Sequence, residues 1–85
     1  MSDFKFFSIV NNANMVSSSR LVSVYTDKEK AHRECFYLKR QFSNPSLVVY
    51  PHKDEIDLRF KYNLTDDQLN ILLHQLKSDN EASLI

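Results

Sequence analysis

Residues 24–29 read Val-Tyr-Thr-Asp-Lys-Glu, and residues 63–68 read Asn-Leu-Thr-Asp-Asp-Gln. Each stretch places Thr three residues before Glu or Gln, which is the capping box of a helix start. In that box the Thr hydroxyl accepts from the backbone amide of the Glu or Gln, whose side chain reaches back. The chain therefore has two strand-to-helix junctions, with helices predicted to begin near Thr26 and Thr65. An internal duplication and the common chemistry of such junctions both account for the likeness.

Each predicted helix carries one apolar stripe, because side chains at i, i+3, i+4 and i+7 share one side of a helix. The first stripe consists of Ala31, Cys35, Leu38 and Phe42. The second stripe consists of Leu69, Leu72, Leu73 and Leu76. The first helix is expected to end at Asn44, since Pro45 disfavours helical geometry in the residue before it.

Four segments have the composition of β-strands. Residues 4–10, 20–25 and 47–50 are short runs rich in aromatic and β-branched residues. In residues 56–62, apolar side chains alternate with charged ones, which predicts a strand with one buried and one exposed face. The predicted order is ββαββα. This order indicates an α+β fold, a four-stranded and mostly antiparallel sheet with two helices on one face.

The domain organisation follows from the same pass along the chain. The polar segment 11–19 is rich in Asn and Ser and is predicted to be the hairpin loop between the first two strands. Residues 1–78 are predicted to form a single α+β domain. Residues 79–85 are predicted to be a frayed C-terminal tail.

Composition narrows the functional classes. The chain has 85 residues, 11 Lys plus Arg against 11 Asp plus Glu, one Cys and no Gly. Phosphate-cradling loops of the P-loop and Rossmann type and Gly-built nucleophile elbows are excluded, because they depend on glycine. A single Cys forms no internal disulfide, and no segment has the roughly 20 apolar residues of a membrane span. We therefore expect a cytoplasmic protein with no membrane partner.

No group of residues points to catalysis or to a metal. Cys35 lies on the core stripe, where burial makes a thiol a poor nucleophile. His32, His52 and His74 lack the spacing of a metal site. We therefore predict that the protein is not an enzyme and uses no cofactor. His52 follows Pro51 in a predicted turn, a position that presents a side chain to a partner.

The side of the first helix opposite its core stripe has an unusual composition. Aromatic and basic side chains alternate there, and Arg and aromatic residues are enriched in binding hot spots. The same grouping suits single-stranded RNA, where bases stack on aromatic rings and cations meet phosphate. The alternative is that Phe36 or Tyr37 packs under the loop or the tail. The predicted partner- or RNA-binding residues are Lys30, Arg33, Phe36, Tyr37, Lys39 and Arg40.

Charge is unevenly distributed along the chain. Residues 1–50 carry 7 basic and 4 acidic side chains, and residues 51–85 carry 4 basic and 7 acidic ones. Such polarity suits self-association or a partner with a charged patch. A homodimer is therefore a further hypothesis, with the second helix around Ile71, the Leu84-Ile85 terminus or a sheet edge at the interface.

The junction Val24-Tyr25-Thr26-Asp27-Lys28-Glu29-Lys30-Ala31 resembles the small, uncharacterised early proteins of tailed phages, in which a hairpin ends in a similar strand–Thr/Ser–x–x–Glu–x–Ala junction. The resemblance covers residues 20–42. It implies a role in host takeover or anti-defence, exerted in the host cytoplasm by a small domain that binds and blocks a host factor. It carries over no functional residue.

The leading functional hypothesis is a non-enzymatic protein-binding module, an inhibitor or adaptor of the phage type. Its partner would be a host protein such as a toxin, nuclease or transcription component. The alternative hypothesis is an RNA-binding protein that uses the same basic and aromatic side of the first helix.

Overall fold

The computed structural model describes residues 4–12 and 21–84. Most of the predicted loop at 11–19, together with Arg20 and Ile85, therefore lies outside the described residues. The strands are β1 (Phe6–Asn11), β2 (Leu21–Tyr25), β3 (Leu47–His52) and β4 (Glu81–Ala82). The helices are α1 (Lys28–Gln41), α2 (Glu55–Tyr62) and α3 (Asp66–Ser78).

Within the described residues, four strands form one antiparallel sheet in the order β3-β1-β2-β4. The central strand β1 pairs with β3 from Phe6 opposite His52 to Asn11 opposite Leu47. On its other side β1 pairs with β2, where Phe7 lies opposite Tyr25. The predicted α+β class and the four-stranded antiparallel sheet are confirmed.

Helices cover both faces of the sheet. Phe7 and Ile9 of β1 pack in one cluster with Ala31 and Cys35 of α1. The alternate β1 residues point to the opposite face, because successive strand side chains alternate, and they pack in a second cluster with residues of α2 and α3. The predicted order ββαββα and the placement of two helices on one face are therefore wrong.

The predicted fourth strand at residues 56–62 is a helix, α2. Asp54 caps its start by accepting from the Asp57 amide at 2.9 Å. An apolar residue at every second position also creates i, i+4 pairs, so the same residues satisfy a helix. Leu58 and Tyr62 form the pair that is buried, at 0% and 1% exposure. The structure selects the helix because this pair completes the core between the sheet and α3.

The fourth strand is instead β4, in the segment predicted to be a frayed tail. Ala82 pairs with Val24 of β2 and is 2% exposed. The Gln75 side chain of α3 holds Ser83 by accepting from its amide at 3.1 Å and donating to its carbonyl at 2.7 Å. The Lys30 ammonium lies 3.8 Å from an Asp79 carboxylate oxygen. These contacts hold residues 79–83 against the domain.

One of the two predicted helix starts has the predicted geometry. Thr65 and Gln68 form the capping box of α3. At α1 the cap is Asp27, whose carboxylate accepts from the amides of Glu29 and Lys30. The predicted Thr26 box is wrong: the Thr26 amide donates to the Asn80 carbonyl at 3.1 Å, so Thr26 belongs to the junction between β2 and β4.

The predicted core stripe of α1 is wrong at its last residue, Phe42. Ala31 and Cys35 are buried, and Leu38 packs against the same cluster. Phe42 is the C-cap residue and is 65% exposed. The Phe42 amide still donates to the Leu38 carbonyl at 3.0 Å, but the helix ends at Gln41 and the Phe42 side chain is not part of the core.

Ser43 occupies the left-handed region, with φ of 49°. Glycine is the usual residue after a helix end because it has no Cβ to clash in this conformation. We therefore expect Ser43→Gly to raise the free energy of unfolding by up to about 1 kcal/mol. Urea denaturation followed by circular dichroism measures the change. Ser46→Gly is the matched control, and an equal gain there would contradict the explanation.

Candidate functional site

The outward side of α1 carries two large aromatic side chains. Ala31 and Cys35 fix the inner side of the helix on the sheet. At 100° per residue, Phe36 and Tyr37 then point away from the sheet, and they are 57% and 59% exposed. Neither ring is buried under the C-terminal tail, and most of the loop named in the alternative lies outside the described residues.

The aromatic pair is ordered by contacts within α1. The Phe36 and Tyr37 rings meet edge to face, with centroids 6.3 Å apart and planes at 69°. The Arg40 guanidinium lies 5.6 Å from the centroid of the Phe36 ring, one helical turn away, which is a cation–π distance. Arg33 shares this side of the helix and is exposed. We refer to Arg33, Phe36, Tyr37 and Arg40 as the α1 patch.

The other two predicted site residues lie on the two flanks of the α1 patch. Lys30 is drawn to the C-terminal segment, with its ammonium 3.6 Å from a Glu81 carboxylate oxygen. Its side chain is only 24% exposed. Lys39 lies on the opposite flank of α1 and faces β3. The structure therefore brings together four of the six predicted residues.

The cations of the α1 patch are available to a partner. In the part of the chain that the structure describes, the ion pairs engage Lys30, His52 and Arg59 but not Arg33 or Arg40. A partner that places a carboxylate or phosphate here meets unneutralised guanidinium groups.

A groove of about 320 Å³ separates α1 from β3. Its helical wall includes His32, Phe36 and Lys39, and its other wall is the β3 segment 47–49. Cys35 lies at its base and is 6% exposed. Burial raises the pKa of the Cys35 thiol, while Lys39 acts in the opposite direction. The thiol is therefore protonated at neutral pH, which agrees with the prediction of a core residue.

A second exposed apolar pair lies on α2. Ile56 and Phe60 are 64% and 78% exposed, on the side of the helix opposite Leu58. Beside them the Lys61 ammonium lies 4.4 Å from the centroid of the Tyr50 ring. Sequence reasoning missed this surface because it placed both residues on the buried face of a strand.

Among the described residues, Ser8, His52 and Tyr62 form a buried polar cluster. His52 Nε2 lies 2.7 Å from the Ser8 hydroxyl and 3.5 Å from that of Tyr62, and Ser8 and Tyr62 hydrogen-bond directly. All three residues are at most 1% exposed. The prediction that His52 is presented in a turn is therefore wrong, since His52 is the last residue of β3 and points into the core.

Burial lowers the pKa of His52. Asp57, whose carboxylate oxygen lies 3.7 Å from His52 Nδ1, opposes this, and Lys61 adds to the lowering. A neutral imidazole both donates and accepts, so it can hydrogen-bond the Ser8 hydroxyl while it faces the Asp57 carboxylate.

Ser8, His52 and Asp57 follow the order of a hydrolase triad, in which Ser contacts His and His faces Asp. The Ser8 side chain is fully buried and its hydroxyl is already hydrogen-bonded by Tyr62. A nucleophile must reach a substrate carbonyl. The geometry therefore supports a structural role for this cluster.

Among residues 4–12 and 21–84, no group of three or more His, Cys, Asp or Glu side chains is placed to hold a metal ion. Over the same residues, no helix has the length and apolar character needed to cross a bilayer. Comparison of the chain with protein-family models, curated proteins and solved structures gives no match.

Proposed function

We propose that the protein is a binding module that recognises another protein through the α1 patch. The observation that carries the proposal is the aromatic pair Phe36 and Tyr37, more than half exposed on a helix whose opposite side is packed on the sheet. A domain of this size that binds through one surface acts by occupying its partner, as an inhibitor or as an adaptor. In the phage setting that the sequence resemblance implies, the partner is a host protein.

The α1 patch has the composition of a hot spot. Aromatic and Arg side chains dominate measured binding energies at protein interfaces. The ring contacts with Arg40 hold Phe36 in place before binding, so less side-chain entropy is lost on association. Unpaired Arg33 and Arg40 add a positive rim. The partner surface is therefore expected to combine an apolar pocket with acidic side chains.

RNA binding through the same residues is the second candidate, favoured by unpaired cations beside aromatic rings. Stacking of a base requires a free ring face. The Arg40 guanidinium lies over one face of Phe36, and Tyr37 meets the ring at a steep angle. This arrangement leaves less of the Phe36 ring open to a base, which supports the protein-binding proposal.

Capture from lysate with variants tests the proposal. We expect Phe36→Ala and Arg40→Ala each to weaken binding of the captured protein about 10- to 100-fold, the range of interface hot spots. Phe60→Ser is the matched control, since Phe60 is an exposed aromatic on another helix. Circular dichroism checks that the variants remain folded, and titration calorimetry measures affinity.

Half of the lysate is treated with nuclease, which separates the two candidate functions. A protein whose recovery survives nuclease and depends on Phe36 and Arg40 supports the proposal. If recovery of the protein is lost with nuclease and the affinity falls steeply with salt, the α1 patch would instead be an RNA-binding surface. Equal weakening by Phe60→Ser would contradict both.

A further inference from the structure

We propose that the groove between α1 and β3 binds an extended segment of the partner protein, which joins the sheet as a strand beside β3 and places an acidic side chain at Lys39. This inference rests on the proposed protein-binding function and specifies how the partner is held. It follows from three features of the described residues: an open strand edge, a groove beside that edge and cations along the groove.

The first feature is the edge of β3. In the described part of the sheet, β3 is the terminal strand and pairs only with β1. Alternate residues of an antiparallel strand point their backbone groups at the neighbour. The Asn12 amide donates to the Ser46 carbonyl, and Val10 lies opposite Val48. The even-numbered residues of β3 therefore face β1, and the N–H and C=O groups of Leu47 and Val49 point outward.

Pro51 also occupies an outward-facing position, opposite Phe7. It has no N–H to offer at the edge, and proline is an ordinary device for blocking a strand edge. The open part of the edge is thus confined to residues 47–49, the segment that borders the groove. Strand edges without such protection are templates for pairing with another chain.

The second feature is the groove itself. An added strand alternates its side chains, so that every second one points to the α1 face of the sheet. There it enters the groove between Phe36 of α1 and Val49 of β3. Edge pairing supplies backbone hydrogen bonds, and a side pocket supplies specificity, which is the arrangement of strand-addition recognition.

The third feature is charge. Lys39 and His32 are exposed on the helical wall of the groove, and Arg40 lies one residue further along α1. Among the described ion pairs none includes Lys39. An acidic side chain or terminal carboxylate of the bound segment would form an ion pair with Lys39. The ligand class is therefore an extended peptide in which an apolar residue and an acidic one lie two positions apart, so that both side chains point to the α1 face.

The test uses random peptides about ten residues long, the upper length of ordinary strands. The peptides are displayed on phage and selected on the immobilised full chain. The most enriched peptide is synthesised, and its affinity is measured for the wild type and variants. Val49→Pro removes an outward-pointing amide. Pro51, at the next outward-facing position, shows that β3 tolerates proline there. Lys39→Glu reverses the groove charge on the surface, and Lys77→Glu on α3 is its matched control.

We expect Val49→Pro and Lys39→Glu each to weaken binding of the peptide by at least about tenfold. Lys77→Glu should leave the affinity for the peptide unchanged. Hydrogen exchange at the Leu47 and Val49 amides should slow on peptide addition. Failure to enrich any peptide, or binding that both variants leave intact, would overturn the inference. Protection of the two amides in a dimeric, peptide-free protein would assign the edge to a second copy and also overturn it.

Failure of this inference is distinguishable from failure of the proposed function. Capture that depends on Phe36 and Arg40 but is unaffected by Val49→Pro and Lys39→Glu would support the α1 patch as the binding surface and contradict binding in the groove. Capture that is unaffected by Phe36→Ala and Arg40→Ala would contradict the proposed function itself.

Discussion

Leu58→Ala should lower the free energy of unfolding by about 2–5 kcal/mol, the cost of deleting a buried leucine side chain. Leu58 is fully buried between the sheet and α3 and belongs to the larger core cluster. A domain of this length is expected to have a total stability of about 4–13 kcal/mol, so the variant loses a large part of it. Urea denaturation at low temperature, followed by circular dichroism, measures the loss.

The matched variant is Phe60→Ser, two residues further along. Because Phe60 is 78% exposed on α2, this change should stay within about 0.5 kcal/mol of the wild type. A strand over residues 56–62 would bury Leu58 and Phe60 on the same face. A cost for Phe60→Ser as large as that for Leu58→Ala would therefore contradict α2.

His52→Ala should destabilise the protein by about 2–4 kcal/mol at neutral pH, because it opens a cavity and leaves the Ser8 and Tyr62 hydroxyls one partner short. All three side chains of this cluster are buried. Tyr62→Phe is the milder companion variant, since it keeps the ring and removes one hydroxyl. His74→Ala is the control and should change stability by less than about 0.5 kcal/mol, because His74 is exposed.

The same histidine predicts how stability depends on pH. The folded state lowers the pKa of His52, chiefly by burial, so the unfolded chain, with an ordinary pKa of about 6.5, takes up this proton first. The contribution of His52 is complete above about pH 6.5 and is lost as the pH falls from there through the lowered pKa. His52→Ala should flatten the stability curve in that window. An unchanged slope in the variant would contradict the linkage.

Local chemistry accounts for the parts of the fold that could be predicted. The Thr65 capping box needs only Gln68, three residues away, and it is present in the structure. The outward position of Phe36 and Tyr37 follows from the stripe of Ala31 and Cys35, because the geometry of one helix relates all four. Strands β1, β2 and β3 lie within a residue or two of the predicted segments, since their runs of aromatic and β-branched residues have no competing helical pattern.

Other elements depended on contacts between distant parts of the chain. The alternation in residues 56–62 fits a strand and a helix equally, and the choice was made by packing of Leu58 and Tyr62 against the core. Strand β4 has two residues, too few to show a hydrophobic pattern. It forms because its residues pair with the free edge of β2, where Ala82 lies opposite Val24. The Ser8 cluster joins side chains 44 and 54 residues apart.

The sequence by itself determined the antiparallel sheet, the two long helices and the aromatic and basic side of α1, because periodicity and capping act within a few residues. Only the tertiary structure decided that helices cover both faces, that residues 81–82 complete the sheet and that His52 is buried. It also decided that β3 is the edge strand of the described sheet and borders a groove. These features arise from which surfaces bury one another, and burial depends on residues that are remote along the chain.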